Sequence, residues 1–130
     1  MMKPVLELWT VQMARWRKVH DLRPPVRLLD ITVKSGMKIF APTWDFLMEY
    51  KNSNKDAEAE AVYTRKFRAK IRQLYRENPD ALLELLYSER LALMCYCSAG
   101  KFCHRHLLVR TLRALGRLHG VDVVLMGEIT

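Results

Sequence analysis

The segment Leu91-Ala92-Leu93-Met94-Cys95-Tyr96-Cys97 is almost wholly apolar, with no alternation of polar and apolar positions. A strand of that kind is covered on both faces, as in a parallel sheet with helices packed against it. The chain then opens through Ser98-Ala99-Gly100-Lys101 into a basic helix from about Cys103 to His119, which Gly120 terminates. Strand, small-residue loop and helix in that order is how α/β proteins build ligand sites. All three cysteines fall within nine positions of this stretch, together with two of the four histidines, His104 and His106.

The remaining segments fit the same architecture. Val5 to Trp9 reads as a short strand, with Thr10 as the N-cap of a helical segment from Val11 to His20. Arg23-Pro24-Pro25 breaks the chain, Val26 to Val33 reads as a second buried strand, and Ser35-Gly36 ends it. Thr43 is placed to cap a short helix from Trp44 to about Tyr50, and residues 51–55 form a polar loop. Between Asp56 and Arg76 the apolar Tyr63, Phe67, Ile71 and Leu74 step at helical spacing, and so do Arg65, Arg68, Arg72 and Arg76. That pattern predicts one amphipathic helix with a cationic outer face. Asn78-Pro79 starts a further helix that carries Leu82, Leu83, Leu85 and Leu86 to Tyr87, and Val121 to Met126 supplies a last strand. Residues 1–130 therefore read as one α/β domain with a roughly four-stranded, mainly parallel sheet and helices on both faces.

A chain of 130 residues buries enough surface for a core without staples. No window approaches the ~18 continuous apolar residues of a membrane span, and the N-terminal residues lack the apolar centre of a signal peptide. An odd number of clustered cysteines is not a disulfide framework. A cytoplasmic location without a membrane partner is the expectation. Lys and Arg number 22 against 14 Asp and Glu, a formal net charge of +8. This favours an anionic partner, either a nucleotide or nucleoside phosphate or a nucleic acid. Much of the excess lies on the 65–76 helix and on Arg105, Arg110, Arg113 and Arg117.

In a parallel sheet the residues after each carboxyl end converge on one edge. That edge gathers Thr10 to Gln12, Lys34 to Gly36, Cys97 to Arg105, and Gly127 to Glu128. The amides of the loop around Gly100 and of the helix start, with Lys101 and Arg105, suit a phosphate or carboxylate. Thr10, Lys34, Ser35 and Cys103 are further candidates for ligand contact. The same field makes Cys97 or Cys103 a candidate reactive thiolate. Seven residues separate Cys97 from Arg105, where a cysteine-phosphatase loop has five, and this disfavours phosphatase chemistry. Asp30 stands in an apolar strand, where a carboxylate needs a partner: it is either paired with Arg105 or part of the site. Asp30 and Glu128 are candidate general bases for attack of water on a glycosidic or phosphoester bond, with His104 as a further catalytic candidate.

Leu29 to Gly36, Phe40-Ala41-Pro42, Tyr50-Lys51, Cys95-Tyr96-Cys97 and the run from Gly100 through Cys103-His104-Arg105 to Leu108 together give the chain a family likeness. It resembles the domain of unknown function 488 family, most closely the short form that bacteriophages often encode. The resemblance implies a compact Rossmann-like α/β fold and a site at the edge just described, and leaves the reaction open. Many members carry the Cys-His-Arg triplet with only one upstream cysteine or a nearby carboxylate, whereas here Cys95 and Cys97 both precede it.

The second upstream cysteine raises metal binding. Zinc takes four Cys or His ligands in structural sites, and Cys95, Cys97, Cys103 and His104 (or His106) are the available set. Against this, adjacent residues on a helix point ~100° apart, so Cys103 and His104 should not face one ion, and the usual Cys-x-x-Cys knuckles are absent. No cofactor is expected, with zinc as the alternative. The leading expectation is a nucleotide- or nucleoside-directed hydrolase, with the N-glycosidic bond as a candidate target. A non-enzymatic nucleic-acid-binding protein using the two arginine stripes, the second beginning at His106, is the other, and a small zinc-binding domain is the third.

Overall fold

A computed structural model describes residues 3–97 and 100–130. Ser98 and Ala99 of the expected anion-binding loop lie outside the described residues. Four strands, β1 (Val5–Gln12), β2 (Arg27–Asp30), β3 (Arg90–Cys95) and β4 (Asp122–Ile129), form one sheet in the order β2-β3-β1-β4. Every pairing is parallel. The helices are α1 (Arg17–His20), α2 (Trp44–Lys51), α3 (Ala57–Glu77), α4 (Pro79–Leu86) and α5 (His104–His119). The Rossmann-like arrangement expected from the resemblance is thus the arrangement found. No helix among the described residues is long and apolar enough to cross a membrane.

The unbroken apolar run at 91–95 becomes β3 because it lies between β2 and β1 with both faces covered: Leu91, Ala92 and Leu93 are fully buried. The two faces are covered unequally. Leu6, Leu8, Leu29, Leu91 and Leu93 pack with Phe67, Ile71, Leu82, Leu108 and Leu112 from α3, α4 and α5. Trp9, Val11, Ala92 and Met94 form a smaller cluster on the other face, around Val19 of the four-residue α1.

Several boundaries differ from the sequence reading. Thr10 caps no helix: β1 runs on to Gln12, and Thr10 pairs with Leu93 on one side and Glu128 on the other. β2 stops at Asp30, because the Asp30 carboxylate turns the chain instead of letting it extend. Its Oδ1 accepts from the Thr32 amide at 2.9 Å and the Thr32 hydroxyl at 2.7 Å, and its Oδ2 accepts from Ser35 at 2.6 Å. Gly36 closes this turn where any Cβ would stand 2.4 Å from the Asp30 carbonyl oxygen. By contrast α3 falls where its apolar spacing placed it, with the Asp56 carboxylate accepting from the Ala59 amide as N-cap.

Candidate functional site

The carboxyl ends of β3 and β1 and the start of α5 meet at the cysteine-histidine run. Cys95 is the last residue of β3 and points inward, 3 % exposed. Cys103 is also buried, and although it immediately precedes α5 its backbone is extended, at φ −158° and ψ 147°. That conformation removes the 100° splay expected of Cys103 and His104. With one residue extended and the next helical, both side chains aim at Cys95. The Cys103 thiol donates to Cys95 Sγ at 2.8 Å, and His104 Nδ1 lies 3.7 Å from each sulfur.

The other ring nitrogen of His104 decides its tautomer. Nε2 is 2.6 Å from the Ile31 carbonyl oxygen, which can only accept, so Nε2 carries the proton and the Nδ1 lone pair faces the two thiols. Burial lowers the imidazole pKa to about 4 in spite of the Ile31 hydrogen bond, so the ring is neutral near pH 7. Cys97 is the accessible member of the group, half-buried. The Cys103 and Cys95 thiols, aided by the Arg105 charge, outweigh burial and hold the Cys97 thiol below its usual range. Cys103 is pushed up, first as the donor to Cys95 and then by burial. Tyr63, Tyr50 and Phe102 form an aromatic wall, with Tyr63 and Phe102 centroids 5.2 Å apart. Burial raises the Tyr63 hydroxyl pKa, and the neighbouring thiols raise it further.

Arg105 is completely buried. Its partner is Glu128, not Asp30: Nε donates to Oε1 at 3.2 Å and Nη2 to Oε2 at 3.3 Å, while Nη1 donates to the Cys97 carbonyl at 2.9 Å. Thr10 Oγ1 donates to the same Glu128 Oε1 at 2.6 Å. A bulge in β4 brings Glu128 there. The register with β1 shifts between Leu8 and Trp9, whose partners are Leu125 and Gly127, and Gly127 takes φ +100° to make the step. Asp30 is consumed by Thr32 and Ser35 on the far side of β3.

The expected site residues therefore divide. Cys95, Cys97, Cys103, His104, Arg105, Glu128 and Thr10 form one connected group. Asp30 and Ser35 belong to a separate turn, Lys34 is exposed on it, and Gly100 (φ +79°) and Lys101 are exposed in the loop before α5. The role of the Ile31 carbonyl was not legible from the residues, since a main-chain acceptor has no side-chain signature. Tyr63 was legible as a core position or a stacking partner for a base, and it is buried.

The trio of Cys95 Sγ, Cys103 Sγ and His104 Nδ1, all within 4.8 Å of one another, has the donor chemistry of a zinc site. The Nε2–H bond to a backbone carbonyl is the outer-shell support that metal-binding histidines have.

No curated protein and no solved structure matches the chain. A family model does: that of the active DUF488-N3 subclade, over residues 8–116. The matched span runs from β1 into α5 and takes in all three thiols and the Cys103-His104-Arg105 triplet, but ends before Glu128. The match covers most of the chain and the centre of the site: the chain belongs to the DUF488 family, in the subclade described as active.

Proposed function

We propose that the protein is a cysteine-dependent enzyme acting on a small anionic substrate of the nucleotide or nucleoside phosphate class, with Cys97 as nucleophile. One observation carries the reading. Among three clustered thiols only Cys97 is accessible, at the carboxyl end of a central parallel strand, with its carbonyl held by a fully buried arginine. Arg105 spends its donors on Glu128 and on that carbonyl, so it positions the loop, and recognition of the anion falls to Lys101 and the α5 start, where no side chain caps the amides. Asp30 and Glu128 are already engaged, which removes the support for a carboxylate-driven glycosidic hydrolysis. The subclade's description as active agrees with a catalytic role.

Iodoacetamide labelling read by mass spectrometry tests this. Cys97 should be alkylated at least tenfold faster than Cys95 or Cys103, and a nucleoside mono- or diphosphate should protect it where the uncharged nucleoside does not. Equal rates at all three thiols, or no protection by any phosphate compound, would overturn the reading.

The His104 tautomer favours a second reading, in which Cys95, Cys103 and His104 bind a metal and Cys97 completes the set. Elemental analysis of the purified protein separates the two. Stoichiometric zinc, with Cys97 unreactive until a chelator is added, supports the metal. Metal-free protein with a reactive Cys97 supports the thiol.

A further inference from the structure

Arginines from both stripes line one groove. α3 and α5 lie side by side and run in the same direction: the Phe67 ring at the middle of α3 meets His104 at the start of α5 at 5.7 Å, and Tyr75 meets His119 farther along, with Oη 2.8 Å from Nε2. Between them is a groove of about 210 Å³ lined by Arg68, Arg72 and Arg110 over Ile71, Leu82 and Leu115, with Tyr75 on one wall. The arginines have no acidic relief. No ion pair to Arg65, Arg68, Arg72, Arg76, Arg110, Arg113 or Arg117 is present among the described residues, whereas Lys66 on the flank of α3 is paired with Glu49.

The spacing makes this costly for the free protein. Arg68 and Arg72, Arg72 and Arg76, and Arg113 and Arg117 are four apart, and Arg65 and Arg68, and Arg110 and Arg113, are three apart. Each such like-charge contact destabilises a helix by roughly 0.2–0.5 kcal/mol. A polyanion lying along the groove offsets this repulsion by bringing counter-charge to Arg68, Arg72 and Arg110. A turn of helix advances ~5.4 Å, so stripes on two parallel helices present cations at intervals that a phosphodiester chain can follow. The half-buried Tyr75 ring on the groove wall is a stacking partner for a base, which a single strand exposes and a duplex hides.

We infer that the α3/α5 groove binds single-stranded nucleic acid, with backbone phosphates on Arg68, Arg72 and Arg110 and a base against Tyr75. Arg110 stands six residues, about 9 Å, along α5 from His104, so a strand in the groove passes close to the thiol loop. The inference stands apart from the chemistry assigned to Cys97, and Cys97→Ser should bind as well as the wild type.

Fluorescence anisotropy with a labelled oligothymidylate, its RNA equivalent and a duplex of equal length is the test. The single strands should bind in 50 mM NaCl with a log K that falls linearly with log salt. The Arg68→Ala/Arg72→Ala/Arg110→Ala variant should bind at least tenfold more weakly, with a slope shallower by about 2, at roughly 0.7 per phosphate lost. An Arg15→Ala/Arg17→Ala/Lys51→Ala variant, equal in charge lost but remote from the groove, should keep the slope. The groove variant should melt no lower than the wild type, because it sheds like-charge contacts, and this separates loss of binding from loss of fold. Absence of binding in 50 mM NaCl, tighter binding of the duplex, or equal weakening by the remote variant would overturn the inference.

Discussion

Arg105 is the residue on which the candidate site is hung. A guanidinium with no exposed surface is tolerable only with its charge and donors matched, and Glu128 together with the Cys97 carbonyl supplies the match. Arg105→Ala should therefore cost about 3 kcal/mol by leaving Glu128 without its cation. The Arg105→Ala/Glu128→Gln double variant should lose at least ~1 kcal/mol less than the sum of the single changes, measured by urea denaturation. That Arg105 needs a partner was legible in the sequence; which partner was not. Asp30 looked right because it sits in an apolar strand, but it finds three donors within five residues of itself, and local hydrogen bonds need no distant cation.

At the scale of elements, the long helices were the easiest to read, because 3.6-residue periodicity and a capping aspartate are local signals. The strand ends were not. β1 continues past Thr10 because β4 pairs with it as far as Ile129, a contact that no local pattern announces. The same holds for Cys103: residue spacing treats it as helical, and only the extended backbone just before α5 lets it face Cys95 beside His104. The bulge at Gly127 is the element-level device that aims Glu128. An L-residue at φ +100° is strained, so Gly127→Ala should destabilise the protein by about 1–2 kcal/mol. In chemical denaturation that variant should also weaken the Arg105-Glu128 coupling, because β4 relaxes by flattening the bulge.

For the whole molecule the fold class followed from one apolar strand and the order of segments, since a parallel sheet with crossovers leaves few alternatives. The distribution of charge is also a whole-molecule property. With a net +8 and its arginines stacked on neighbouring helices, the folded state repels itself more than the expanded chain does. Raising NaCl from about 20 to 300 mM shortens the screening length to well under 10 Å, and Tm should rise by a few degrees. A fall in Tm over that range would mean that attractive pairs such as Lys3 with Asp122 and Arg27 with Glu84 dominate the surface.

The Ile31 peptide is gripped from both sides. Its amide donates to the Met94 carbonyl at 3.0 Å, and its carbonyl takes the His104 proton at 2.6 Å. Immediately after it comes the turn in which Thr32, Ser35 and Gly36 are bound to Asp30 and to one another. The imidazole is thus a rivet between two plates of the molecule, one holding the sulfurs and the other an outer bend of the chain. Whatever draws on Nδ1, whether proton, metal or adduct, tugs the rivet and is felt at the bend. An event in the interior thereby acquires an external herald, and Thr32 and Gly36 are where a spectroscopist would listen for it.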